Sequence, residues 1–211
     1  MLNFMKINRN AAEQLAQIKI IPVLVLNSAE EGLALGKILL DNGLPAAEIT
    51  FRTPAAASAI AAMTAAYPEL LLGAGTILNH RDLLLAKQSG AKFAVAPGFN
   101  PSVVKKAAEL EMPFAPGICT PSELEQAYDL GCAFLKFFPA EPVGGLKFLQ
   151  AMAAPYKHLG ISFMPTGGVT AANAATYLNC PFVAAVGGTW LTKAADVAAS
   201  VREAVKIKNE F

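Results

Sequence analysis

The segment FLKFFPAE (134–141) places one lysine, Lys136, in an otherwise apolar run. Lysine side chains are almost never fully buried unless a partner group pairs with them. One interpretation is structural, in which Lys136 forms an interior ion pair with a carboxylate such as that of Glu48. The other is catalytic, because an amine surrounded by apolar groups loses affinity for its proton and becomes a nucleophile able to form a Schiff base with a carbonyl. The residue types alone leave both interpretations open.

Polar residues recur at a spacing of two in another apolar stretch. Glu48, Thr50 and Arg52 alternate with apolar residues, and side chains two positions apart on a strand share a face. Glu48 could therefore serve as an acid and base near an amine. Arg52 suits either a salt bridge at the rim of the fold or bidentate capture of a substrate carboxylate. Thr76, which follows GAG (73–75), suits either a helix cap or a second carboxylate contact.

These residues need a scaffold, and apolar runs that alternate with helical patterns along the whole chain predict one. Segments such as 28–43 and 120–132 begin with Ser or Thr, carry acids in the first turn and have Gly past the last turn, as crossover helices do. The pattern predicts an α/β fold: a (β/α)8 TIM barrel with an extra N-terminal helix, formed as a single domain over 1–211. The eight predicted strands are 20–26, 46–51, 70–77, 92–98, 113–118, 133–139, 162–168 and 182–188.

Two glycine pairs fall at the ends of predicted strands seven and eight. They lie in PTGG (165–168) and VGGT (186–189). In a barrel of this kind the chemistry lies at the C-terminal ends of the strands, and phosphate often binds between the loops after strands seven and eight. Glycine lets backbone N–H groups come close to an anion, although it also ends strands for reasons of turn geometry. The placement favours an anion site.

The overall composition argues against several classes of partner. Lys plus Arg number 17 against 16 Asp plus Glu, without the basic excess that binding to a nucleic-acid backbone needs. The N-terminus has no apolar run of signal-peptide length, and no segment reaches the roughly 18 apolar residues of a membrane span. We therefore expect a soluble, cytoplasmic protein with no nucleic-acid or membrane partner.

The cysteines and histidines do not predict a metal centre. Cys119, Cys132 and Cys180 are scattered and lack the spacing of a zinc site or of a disulfide framework. His80 and His158 are the only histidines, and neither lies beside a second candidate ligand. We expect the cysteines to be small buried apolar side chains and the protein to bind no metal.

The motifs occur in an order that resembles one enzyme family over nearly the whole chain. This sequence resembles the 2-keto-3-deoxy-6-phosphogluconate (KDPG) aldolases, also called 4-hydroxy-2-oxoglutarate aldolases. The segments that carry the resemblance are EITFRT (48–53), GAGT (73–76), PGFNP (97–101), LKFFPAE (135–141), MPTGG (164–168) and VGGTW (186–190).

The resemblance implies a class I aldolase without a cofactor, commonly a homotrimer, acting on a small keto acid. Lys136 would form an iminium with the keto carbon of the substrate, and Glu48 would be the general acid and base. The remaining implied roles are substrate carboxylate binding by Arg52, Thr76 and Thr166, pocket formation by Pro97 and Phe138, and phosphate binding by Gly167, Gly168, Gly188 and Thr189. The products would be pyruvate and an aldehyde, glyceraldehyde 3-phosphate or glyoxylate.

One residue departs from the family pattern. Thr189 stands where many members have a phosphate-contacting serine, which keeps the hydroxyl but adds a methyl group and a stiffer χ1. The alternatives that stay open are a 2-keto-3-deoxy-6-phosphogalactonate aldolase, a phosphate-binding barrel that catalyses isomerisation or decarboxylation, and a barrel that senses a phosphorylated sugar acid without catalysis.

Overall fold

The computed structural model describes residues 2–211, in which parallel strands alternate with helices. The strands are β1 (Ile20–Leu24), β2 (Ala46–Thr50), β3 (Leu71–Gly75), β4 (Phe93–Val95), β5 (Phe114–Ala115), β6 (Gly117–Ile118), β7 (Phe134–Phe137), β8 (Ser162–Pro165) and β9 (Val186–Gly188). The helices are α1 (Leu2–Ile18), α2 (Ala29–Asp41), α3 (Ala56–Ala66), α4 (His80–Gln88), α5 (Pro101–Glu109), α6 (Pro121–Asp129), α7 (Gly145–Ala153), α8 (Ala171–Leu178), α9 (Trp190–Lys193) and α10 (Val197–Lys208), with a 3-10 helix at Ala154–Leu159.

The strands form a curled parallel sheet in two ladders. One ladder has the order β5-β4-β3-β2-β1-β9 and the other β6-β7-β8, and every strand pairing within each ladder is parallel. Two further parallel bridges join the region of β8 to that of β9: Phe163 of β8 pairs with Val183 before β9, and Thr166 after β8 pairs with Gly187 of β9. The α/β class predicted from the alternating pattern is therefore confirmed.

The fifth predicted strand is divided in two, so residues 2–211 contain nine strands where the sequence pattern predicts eight. Pro116 separates β5 from β6 and has no N–H to donate to a ladder. Its carbonyl still accepts a hydrogen bond from the Lys136 amide at 3.0 Å. The strand consequently pairs with β4 before the proline and with β7 after it.

The helix starts follow the predicted capping chemistry. Ser28 precedes α2 and its side chain accepts a hydrogen bond from the Glu31 amide. Thr120 precedes α6 and forms a capping box with Glu123. These contacts satisfy amides that have no partner inside a helix, and they confirm the two predicted crossover helices.

The apolar side chains form one cluster between the sheet and its covering helices and a second one inside the curl of the sheet. The inner cluster contains Phe93, Phe134 and Ile21 from three strands, together with Ala12 and Leu15 of α1. Helix α1 therefore contributes two side chains to the inner cluster. Within residues 2–211, none of the helices combines the length and apolar character needed to cross a membrane.

Candidate active site

Lys136 and Glu48 meet inside the curl of the sheet although 88 positions separate them. Lys136 lies on β7 and Glu48 on β2, with 5% and 1% of their surfaces exposed. The lysine Nζ lies 3.0 Å from Glu48 Oε1 and 3.1 Å from Oε2. A buried ion pair of this kind is costly to desolvate and is weak evidence for a role in stability. The contact also places a proton acceptor within transfer distance of the amine.

Gly75 on the neighbouring strand provides the space that the Glu48 carboxyl group occupies. Gly75 pairs with Thr50 in the β2–β3 ladder. A Cβ atom added at Gly75 would lie 2.7 Å from both Cδ and Cγ of Glu48, closer than real Cβ atoms approach any neighbour. Sequence reasoning did not single out Gly75 by itself, because a glycine in a strand indicates a close approach without showing what approaches.

Arg52 follows β2 and is oriented by Thr50. The Arg52 Nε donates to Thr50 Oγ1 at 3.3 Å, and the Thr50 hydroxyl donates to the Leu24 carbonyl at 3.0 Å. Among the described residues, Arg52 takes part in no salt bridge. This argues against the interpretation of Arg52 as a salt bridge at the rim and leaves its guanidinium for an acidic ligand.

Thr76 lies just past the end of β3 in a left-handed conformation, with φ 59°. The sequence pattern predicts a strand that continues through 77, but the strand ends at Gly75. The N-cap of α4 is Asn79, whose side chain accepts from the Asp82 amide, so the alternative role of Thr76 as that cap is not observed. A β-branched residue with positive φ is strained, and such strain concentrates at ligand sites.

Two consecutive glycines form the turn between β8 and α8. Gly167 and Gly168 have φ values of 95° and 86°, which only glycine adopts readily. The amides of Gly168 and Val169 donate to no acceptor within residues 2–211. Helix α8 begins three residues after this turn, and the N-terminus of a helix attracts anions. The turn is therefore suited to bind an anion such as phosphate.

All of the predicted site residues line one cavity of about 190 Å³. The ring of Phe138 lies beside the amine, with its centroid 5.8 Å from Lys136 Nζ. Sequence reasoning missed Val23 and Val169, since apolar residues at strand ends give no chemical indication of a site. The full lining is Val23, Glu48, Thr50, Arg52, Thr76, Pro97, Lys136, Phe138, Thr166, Gly167, Gly168, Val169, Gly188 and Thr189. The described part of the chain holds no group of three His, Cys, Asp or Glu side chains arranged to bind a metal.

Comparison with known proteins identifies the family. The sequence model of the family described as KDPG and KHG aldolase matches residues 11–207. KHG stands for 4-hydroxy-2-oxoglutarate. The chain belongs to the KDPG and KHG aldolase family. A relative from Haemophilus influenzae is named 2-dehydro-3-deoxy-phosphogluconate aldolase. It is 45% identical to this chain, over 86% of this chain and 84% of the relative. The resemblance recognised from the motifs is thus confirmed.

Two solved aldolases share the fold. The KDPG aldolase of Zymomonas mobilis with 3-phosphoglycerate superimposes with a TM-score of 0.85 and 34% identity, covering 92% of this chain and 94% of that one. The second is the KDPG aldolase of Legionella pneumophila, with pyruvate captured as a covalent carbinolamine intermediate. It superimposes with a TM-score of 0.84 and 30% identity, covering 93% of this chain and 96% of that one.

Proposed function

We propose that this protein is a class I aldolase that reversibly cleaves KDPG to pyruvate and glyceraldehyde 3-phosphate, and 4-hydroxy-2-oxoglutarate to pyruvate and glyoxylate. The observation that carries the proposal is the buried contact between Lys136 and Glu48 in a cavity that also contains Arg52 and a diglycine turn. The cavity thus combines an amine, a single carboxylate, a guanidinium and free backbone amides. The family membership and the names of the relatives support the same reaction.

In the proposed reaction Lys136 is the nucleophile. Its neutral amine adds to the C2 carbonyl of the substrate, and protonation of the oxygen gives a carbinolamine. Loss of water then yields a protonated imine, which is the electron sink for the next step. Because this sink is made from the protein's own amine, carbon–carbon cleavage through it needs no metal or organic cofactor.

Glu48 moves the protons. It accepts the proton of the C4 hydroxyl while the C3–C4 bond breaks, so that the bonding electrons enter an enamine and the aldehyde is released. It then returns that proton to C3, and water hydrolyses the imine to free pyruvate and Lys136. The distances of 3.0 and 3.1 Å from its two oxygens to Lys136 Nζ allow the same carboxyl group to serve the carbinolamine steps.

The remaining lining residues are proposed to hold the two ends of the substrate. Arg52, Thr76 and Thr166 bind the carboxylate, and Pro97 and Phe138 shape the wall around the amine. At the opposite end, the free amides of the diglycine turn suit a phosphate. The proposed phosphate contacts are Gly167, Gly168, Gly188 and Thr189, all of which line the cavity.

Borohydride trapping tests the proposal. Incubation with pyruvate and sodium borohydride, followed by peptide mass spectrometry, should give one reduced pyruvate adduct on the peptide that carries Lys136. Lys136→Ala should give no adduct and no pyruvate in an assay coupled to lactate dehydrogenase, whereas Lys92→Ala at an exposed position should behave like the unchanged protein. An unchanged protein that folds but forms no adduct would favour the isomerase and sensor alternatives.

The finer architecture is also a proposal: a closed eight-fold (β/α)8 barrel with α1 as an extra helix. Its support is that β5 and β6 count as one strand interrupted by Pro116, and that the Phe163 and Thr166 bridges connect the two ladders. The proposed single domain spans 1–211, of which Met1 lies outside the described residues.

Assembly, substrate preference and location are further proposals. We expect a homotrimer, which light scattering would detect as three times the 22.1 kDa chain mass. Because relatives are named 2-dehydro-3-deoxy-phosphogluconate aldolase, we propose that the gluconate substrate is cleaved faster than 2-keto-3-deoxy-6-phosphogalactonate, its C4 epimer, which the same coupled assay measures. The cytoplasmic location stays a prediction that fractionation of cells would test.

A further inference from the structure

The loop after β7 is bonded to the diglycine turn after β8. The Ala140 amide donates to the Thr166 carbonyl at 2.8 Å, and the Glu141 amide donates to the Gly167 carbonyl at 2.9 Å. The Glu141 side chain also covers the turn, since a Cβ added at Gly168 would lie 2.5 Å from Glu141 Cβ and 2.7 Å from its Cγ. The position of the turn therefore depends on where Glu141 is held.

Tyr177 of α8 holds the Glu141 carboxylate. Only 1% of Tyr177 is exposed, and its hydroxyl donates to Glu141 Oε1. A buried tyrosine hydroxyl needs a partner, and Glu141 supplies it. Burial, and then the hydrogen bond and charge of Glu141, raise the pKa of Tyr177, so the phenol keeps its proton and remains a donor. The bond connects α8 to the loop after β7, and that loop is itself bonded to the diglycine turn.

We propose that Tyr177 and Glu141 are a positioning pair for phosphate recognition, which sets the affinity for phosphorylated substrates without taking part in carbon–carbon cleavage. This rests on the proposed function. The Gly168 and Val169 amides have no acceptor in the described residues, and a free carboxylate on the adjoining loop would compete with phosphate for them. Tyr177 engages that carboxylate and keeps the turn in place.

The test compares a phosphorylated substrate with an unphosphorylated one in Tyr177→Phe, which removes only the hydroxyl. The KM for KDPG should rise about tenfold, equivalent to about 1.4 kcal/mol, which is close to the lower limit for a hydrogen bond to a charged group. The kcat for KDPG and both constants for 4-hydroxy-2-oxoglutarate should change less than about twofold, because that substrate carries no phosphate.

A second tyrosine provides the matched control. Tyr156, in the 3-10 helix, donates to Glu125 at 2.6 Å and lines a different cavity from the site. Tyr156→Phe removes the same hydroxyl from the same kind of pair and should leave the constants for both substrates unchanged. If Tyr177→Phe does not fold, Glu141→Ala at an exposed position removes the same bond but also the competing carboxylate. The KM for KDPG should then rise by less than about tenfold, and an unchanged KM would overturn the positioning role.

Binding of inorganic phosphate separates this proposal from the proposed function. Titration calorimetry should give a Kd for phosphate about tenfold higher in Tyr177→Phe than in the unchanged protein. Equal losses with both substrates, or an unchanged KM for KDPG and Kd for phosphate, would overturn the positioning role. An unchanged protein that binds phosphate but cleaves neither substrate would instead refute the aldolase activity.

Discussion

Replacing Glu48 by glutamine tests whether this carboxyl group moves protons or only pairs with Lys136. In the unchanged protein Lys136 Nζ lies 3.0 Å from Glu48 Oε1. Glutamine has nearly the same shape as glutamate and keeps a carbonyl oxygen that can accept a hydrogen bond from this amine. It cannot accept or return a proton. Among the residues that line the cavity Glu48 is the one acid, so no neighbour can replace it.

The expected loss is that of a positioned acid and base, about 10² to 10⁴-fold in kcat. At about 1.36 kcal/mol for each factor of ten, this corresponds to about 2.7 to 5.4 kcal/mol of transition-state stabilisation. The assay is KDPG cleavage coupled to lactate dehydrogenase, with borohydride trapping in parallel. Imine formation should be slowed but still detectable, because the nucleophile remains in place.

Glu69→Gln is the control, since Glu69 is exposed and lines a cleft beside α1 that shares no residue with the site. It should keep the kcat of the unchanged protein. A thermal melt of Glu48→Gln reports whether the variant is folded. A folded Glu48→Gln protein with a kcat within about threefold of the unchanged one would refute the proton-transfer role and leave Glu48 as a structural partner of Lys136.

Two further predictions follow from the packing of buried residues. Gly75→Ala should lower the kcat at least about tenfold, because its methyl group would displace the Glu48 carboxyl group. Gly98→Ala is the matched control, since a Cβ added there has no neighbour within 4 Å. Full activity of the Gly75 variant would contradict the steric argument. Burial raises the pKa of the Cys132 thiol to about 12, so iodoacetamide near neutral pH should alkylate Cys132 only after unfolding; modification of this cysteine in the folded protein, detected by mass spectrometry, would show that it is accessible.

Local sequence patterns predicted the order of elements and the chemistry of the site. Apolar runs and capping residues depend on neighbours a few positions away, so the crossover helices after Ser28 and Thr120 could be recognised directly. Lys136 could be recognised because an amine in an apolar run requires an explanation. The ion pair of Lys136 with Glu48 was only one of two interpretations of the lysine, because local sequence does not give the distance between β2 and β7.

Sequence alone determined which residue types were available at the strand ends, and through the family motifs it indicated their roles. Only the tertiary structure decided the contacts that depend on the path of distant segments. These include the division of a strand at Pro116, the left-handed backbone of Thr76 where the pattern predicts a continuing strand, and the Tyr177–Glu141 bond. The physical reason is that periodicity and capping are interactions along the chain, whereas the space beside Gly75 and the position of Glu48 against Lys136 arise only when the strands are side by side.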